Sequence, residues 1–97
     1  MLTTALWILM NASIIADWGQ TRHIANHPQR YEEVNHFLGK HPSVSEVNRW
    51  FVGSLIVNNS IVIVLPRKYR GAYAGVYSAV TIAGVMRNNS IGIQISF

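Results

Sequence analysis

The side chains best suited to chemistry fall in one stretch of this 97-residue chain. Asp17, Gln20 and Thr21 stand at i, i+3 and i+4, with Ile24 at i+7, so on a helix they share one face. Arg22 and His23 lie beside that face, and Glu33 and Asn35 follow on a segment that can fold back toward it. Two carboxylates and an imidazole brought together, Asp17 and Glu33 with a histidine, are the parts of a hydrolase or group-transfer site. The plainer reading of the same residues is an ion pair, Asp17 with Arg22, Arg49 or Arg87, that anchors a loop to a helix end. In either case an acid at the edge of hydrocarbon needs a partner, and is a functional candidate for that reason.

Four histidines, His23, His27, His36 and His41, crowd the same region. His23 and His27 at i, i+4 can share a metal ion if the helix persists to Pro28, with Asp17 or Glu33 completing the set. Against this, His27 and His41 each precede a proline, which is turn chemistry, and no HExxH-type spacing is present. The expectation is no metal and no cofactor, with His23 and His27 the weak candidates. No GxSxG, Walker or dinucleotide fingerprint occurs. With no cysteine there is no thiol nucleophile, disulfide or Cys-ligated centre.

The elements that must position these groups are apolar. Hydrophobic residues make up 49% of the chain and charged residues 12%, which excludes intrinsic disorder. Leu2 to Ala16, Trp50 to Pro66 and Gly71 to Met86 carry no charge. The net charge of +4 is equally segregated. Acids and bases balance between Asp17 and Arg49, and the excess sits in the knot Arg67, Lys68 and Arg70, with Arg87 beyond. A nucleic-acid binder spreads its cations along a groove with interleaved aromatics. One tight knot between apolar runs fits instead a turn facing anionic lipid headgroups, so lipid is the expected partner and nucleic acid is not.

The spacing predicts an all-α membrane domain over 1–97 with about three transmembrane helices, at about 2–24, 44–65 and 70–87. The polar connection 25–43 is expected to hold a short amphipathic helix. There Pro28 starts the helix, Tyr31, Val34 and Leu38 form its apolar stripe, and Gly39 ends it. The first run lacks the basic flank of a secretory signal and is read as an uncleaved span of about 23 residues, roughly 35 Å long. Ser43 and Glu46 form a capping box that opens the second helix, and Pro66 closes it. The β-branched run Ser60 to Val64 suits a buried strand, but its continuity with the preceding helical segment favours helix.

In the third helix Gly71, Gly75, Ala79 and Ala83 recur every four residues, a small-xxx-small stripe for close helix packing. Asn11 and Asn58 fall within the first and second spans and are expected to hydrogen-bond between helices, because an amide in hydrocarbon needs a partner. The tail 88–97 alternates apolar residues up to Phe97. The uncharged runs lack the alternation an outer-membrane barrel requires, so the tail is read as an extended piece on the bundle or at the interface.

Asp17-Trp18-Gly19-Gln20-Thr21-Arg22, with Glu33-Val34-Asn35-His36-Phe37-Leu38-Gly39-Lys40-His41-Pro42, resembles a set of small uncharacterised membrane proteins of bacteria and their phages. Their pattern is Asp-x-x-x-Thr at a helix end, then Glu-x-Asn and Leu-Gly, and it covers roughly residues 15–70 here. His36 stands where that pattern has Pro, which puts the loop geometry in doubt. The resemblance implies a multi-helix membrane protein whose shared polar set is Asp17, Thr21, Glu33 and Asn35, with no defined activity. It leaves Asp17, Gln20, Thr21, Arg22, Glu33, Asn35 and His41 as the candidate polar cluster.

The favoured function is a non-enzymatic protein of the bacterial inner membrane that binds lipid, another membrane protein or further copies of itself. A holin-like pore former and a membrane-interface enzyme using Asp17, Glu33 and a histidine are the alternatives. With three spans, the amino terminus and the Arg67–Arg70 turn share one side, and that dense turn assigns the side to the cytoplasm. The wider Lys/Arg count on the opposite side argues the other way.

Overall fold

The computed structural model describes residues 2–27 and 42–97. Its described residues form three helices, α1 (Leu2–Asn26), α2 (Val44–Val64) and α3 (Arg67–Ser90), and contain no strand. Residues 28–41 of the connection, with the expected amphipathic helix, Glu33, Asn35, His36 and His41, lie outside the described residues.

Local chemistry sets the helix ends. Ser43 is extended (φ −74°, ψ 159°); its hydroxyl accepts from the Glu46 N–H at 3.1 Å, and its own N–H donates to Glu46 Oε1 at 3.3 Å. This reciprocal cap satisfies two amides that the first turn of α2 would otherwise leave without partners. Ser43→Ala is expected to destabilise the fold by about 1 kcal/mol, read as a lower unfolding midpoint; an unchanged midpoint would show that the cap is idle. At the other end Pro66 pushes Leu65 into the extended region (φ −64°, ψ 144°). The two-residue turn Leu65-Pro66 leads directly into α3.

The C-terminus of α3 is a Schellman motif. Ile93 N–H reaches the Asn88 carbonyl at 2.9 Å, Gly92 N–H reaches Asn89 at 3.2 Å, and Gly92 has φ 93°. The positive φ reverses the chain, which is why the position is a glycine. Asn88 to Ser90 therefore belong to the helix, past the expected end at 87. The tail then buries Ile93 (3% exposed) and returns to α1, where Ser96 N–H donates to the Gly19 carbonyl at 3.1 Å.

α1 is the central element. It runs parallel to α3, with Thr3 beside Gly71 and Gln20 beside Val85, and antiparallel to α2, with Asn11 beside Asn59 and Trp18 beside Asn48. The core is small: Met10 and Ile14 of α1, Val47, Phe51 and Val62 of α2, and Ala74 of α3. A Cβ on Gly71 would stand 3.1 Å from Thr3 Oγ1, a tight approach of α1 and α3, whereas one on Gly75 would make an ordinary contact, 3.6 Å from Leu6 Cδ1.

The stripe does not continue to Ala79 and Ala83, which are exposed. Four residues advance a helix by about 400°, so an i+4 row drifts about 40° per step away from a straight neighbour. Ala74 and Ser78, both buried, carry the seam instead. Gly71→Leu is expected to force the helices apart at a cost of about 1–3 kcal/mol. Ala79→Leu should change stability by less than about 0.5 kcal/mol. Equal midpoints for the two variants would remove Gly71 from the seam.

Among the described residues α2 is the one helix long and apolar enough to cross a membrane, with a mean hydropathy of 1.3 and 22% of that window buried. The expectation of three such spans is met at this helix alone. α1 is interrupted by Asn11 and Asp17, and α3 begins with Arg67, Lys68 and Arg70.

Candidate functional site

Two polar clusters lie along α1. The first is at mid-helix and consists of amides. Asn11 Nδ2 donates to Asn59 Oδ1 at 3.0 Å, and Asn59 Nδ2 returns a bond to Asn11 Oδ1 at 2.7 Å. Each amide spends its second proton on its own helix, Asn11 on the Trp7 carbonyl (3.1 Å) and Asn59 on the Leu55 carbonyl (2.7 Å). Trp7 Nε1 donates the remaining bond to Asn59 Oδ1 at 2.8 Å. All four amide protons and the indole N–H are thus used without water.

The partner of Asn11 is Asn59, not Asn58. Neighbouring helix positions differ by about 100°, so only one of the two faces α1. Asn58 is turned toward α3, where its Oδ1 accepts from the Tyr73 hydroxyl and its Nδ2 donates to Ser54 O and Oγ at 2.8 and 3.1 Å.

The second cluster closes the end of the bundle at which α1 finishes and α2 begins. Asn48 Oδ1 accepts from Arg22 Nη1 at 2.7 Å and from Trp18 Nε1 at 3.0 Å. The Trp18 ring stacks on Phe51 (6.2 Å between centroids) and meets Phe97 edge-on (5.8 Å). The Arg22 guanidinium lies over Phe97 at 5.8 Å from its centroid, a cation–π contact. Among the described residues Arg22 Nε is buried with no hydrogen-bond partner.

The predicted polar face is divided among different tasks. Gln20, 1% exposed, donates to the Val85 carbonyl at 2.9 Å and accepts from Asn88 Nδ2 at 3.1 Å, clamping α1 to the last turns of α3. The Thr21 hydroxyl, 2% exposed, bonds the Asp17 carbonyl at 2.8 Å; its 3.5 Å approach to Asp17 Oδ1 is long for an O–H···O bond. Its proton is therefore committed to backbone and is not presented to a base. Asp17 is half-buried, and among the described residues the acceptor for Arg22 is Asn48, not Asp17. Arg49 and Arg87, the other expected countercharges, are exposed.

His23 and His27 do stack, at 4.2 Å between centroids, and His27 Nδ1 donates to the His23 carbonyl at 2.7 Å. That bond takes one of the nitrogens a metal would need. Among the described residues no group of three or more His, Asp or Glu side chains converges.

In the basic turn Arg70 folds back onto α2. Its Nε donates to the Leu65 carbonyl at 2.9 Å and its Nη2 to Ile63 at 2.8 Å. It thus caps carbonyls that Pro66 leaves without helical partners. Arg67 and Lys68 stay exposed, with Lys68 Nζ 5.0 Å from the centre of the Tyr69 ring.

Sequence reasoning passed over Trp7, Asn48 and Phe97 as members of these clusters, and it noted Asn59 only beside Asn58, which it took as the partner of Asn11. Trp18 was missed too, although a polar-tipped aromatic at a span boundary is a signal that could have found it. The others depend on long-range pairings with no local signature. Compared with known proteins, the chain matches no protein family, no curated protein and no solved structure.

Proposed function

We propose that this chain is a small integral protein of the bacterial inner membrane, of bacterial or phage origin, acting without catalysis by binding lipid or another membrane protein. The supporting observation is the inversion of polarity across the bundle. Large apolar side chains point outward on every helix: Leu2 and Ile8 on α1 (73% and 65% exposed), Ile56 and Val64 on α2 (63% and 83%), Val76 and Val80 on α3 (67% and 70%). Inside, the amides of Asn11, Asn59, Asn58 and Gln20 bond one another, a hydroxyl or a carbonyl.

A soluble monomer rarely leaves so much apolar surface in water. In hydrocarbon, by contrast, outward apolar and mutually satisfied inward polar groups are what is required. Mean hydropathy charges α1 the full polarity of Asn11, although both protons of that amide are internally bonded. On this reading all three helices cross together, and the 45 Å long axis of the molecule matches a bilayer of about 40–45 Å with its headgroups. Asp17, Arg22 and the tail then lie at one interface, and Arg67 and Lys68 at the other, cytoplasmic one.

Alkaline carbonate extraction tests this. The protein is expected to stay in the membrane pellet and to float with phosphatidylcholine vesicles. Release into the aqueous phase would overturn the reading.

A further inference from the structure

α2 and α3 are joined by a short turn, yet each packs chiefly on α1, and α3 keeps an open face beside that turn. The result is a groove of about 600 Å³ lined by Leu65, Tyr69, Tyr73, Val76, Tyr77 and Val80, with Ala72 at its wall. That volume is in the range of small-molecule sites. The groove follows α3 from Tyr69 to Thr81, about 18 Å at 1.5 Å per residue, close to one leaflet of a hydrocarbon core about 30 Å thick.

Two cations stand at the end of the groove nearest the turn, while Arg49 adjoins Tyr77 toward the other end. Tyr69 lines the mouth of the groove, and Lys68 sits over its ring at 5.0 Å. Arg67 is exposed one residue earlier. Arg70 is committed to the carbonyls of α2, which leaves Arg67 and Lys68 to face the surroundings. Both are in the first turn of α3, whose N-cap, Pro66, provides no side-chain acceptor. Cations here oppose the helix dipole, and an anion would offset both the charges and the uncapped amides.

We propose that this groove binds one anionic phospholipid, with its phosphate at Arg67 and Lys68 and an acyl chain along Tyr69, Tyr73, Val76 and Val80. The inference rests on the membrane reading and adds a lipid class and a site to it. A second copy docked alongside in the same orientation would bring its own Arg67 and Lys68 against these, a repulsive arrangement. An anionic lipid meets both the charge and the length of the slot.

The test uses the full chain in uncharged detergent, with binding read by native mass spectrometry. The probes are phosphatidylglycerol, phosphatidylcholine with the same acyl chains, and inorganic phosphate. Two interfacial cations predict a preference of about thirtyfold for phosphatidylglycerol over phosphatidylcholine, with no retained phosphate. Replacing both cations, Arg67→Gln with Lys68→Gln, should bring phosphatidylglycerol down to the phosphatidylcholine level. Ala72→Phe, at an exposed position, should fill the groove and weaken both lipids about tenfold with helicity unchanged.

Equal binding of the two lipids by the unaltered chain would overturn the site. So would a preference that survives removal of both cations, phosphate retained as tightly as phosphatidylglycerol, or lipid binding that ignores Ala72→Phe. A dimer that phosphatidylglycerol does not displace and Ala72→Phe abolishes would assign the groove to a second copy instead. Flotation of the same samples separates the two levels of the argument. Protein that floats without discriminating lipids loses the site and keeps the membrane reading; protein that does not float loses both.

Discussion

Phe51→Ala is expected to be the most damaging single truncation in the bundle, lowering stability by about 3–5 kcal/mol. Phe51 is 4% exposed and stacks within 5° of parallel on Trp18 at 6.2 Å. Its neighbour one turn earlier, Asn48, holds both the Trp18 indole and the Arg22 guanidinium. Removing the ring therefore opens a cavity at the crossing of α1 and α2 and loosens the Trp18 contact that Phe97 also uses. Lipid around the bundle would not cancel this loss, because cavity and dispersion terms survive where the transfer term is small. Phe51→Leu, which keeps most of the volume, should cost less than about 1.5 kcal/mol. Unfolding in mixed detergent micelles, followed by helical circular dichroism, gives both values. A loss below about 1 kcal/mol for Phe51→Ala would show that the aromatic cluster is peripheral.

The helices were legible where their boundaries are written in adjacent residues. Ser43 with Glu46 announces α2 and Pro66 ends it, whereas α3, expected from about 70, already starts at Arg67 because Pro66 serves as its N-cap. The end of α3 was less so, because Arg87-Asn88-Asn89-Ser90 reads as a polar stop, whereas the Schellman turn is set by Gly92 further on.

Pairings across the bundle were not legible. Asn58 and Asn59 are equivalent in type and depth, and only the azimuth of α1 decides which of them meets Asn11. The role of Gly19 is set entirely by the returning tail. A Cβ there would overlap Ile95 Cγ2 and stand 2.7 Å from Phe97 Cε2, contacts made between α1 and the far end of the chain.

The Asp17 face was identified from helical spacing, which correctly places Gln20 and Thr21 side by side, both buried. What spacing could not show is that each is already engaged, Gln20 with α3 and Thr21 with its own backbone. Helical periodicity groups side chains but says nothing of the carbonyls and amides that a neighbouring helix brings to them. The same holds for Arg70, one of three cations in a row, which becomes a cap only because the chain turns sharply at Pro66.

The Asn11–Asn59 pair is where that distinction between composition and arrangement has its largest measurable consequence. Asn11→Leu leaves Asn59 with one unused amide proton in an apolar setting, and Asn59→Leu strands both Asn11 and the Trp7 indole. Each single change is expected to cost about 1–3 kcal/mol, the penalty of an unsatisfied polar group. The double change removes both amides, so in a Trp7→Phe background it should cost less than the two single changes added together, with a coupling of about 1–2 kcal/mol. Values of that size lie at the upper end for polar contacts between membrane helices, consistent with reciprocal bonds in place of a single one. Asn58 supplies the control. It shares no hydrogen bond with Asn11, so Asn11→Leu and Asn58→Leu should add within about 0.5 kcal/mol. Additivity for Asn11 with Asn59, or coupling with Asn58, would mean that α1 and α2 meet in a register rotated by one residue. In that register the outward apolar surface on which the membrane reading rests would have to be redrawn.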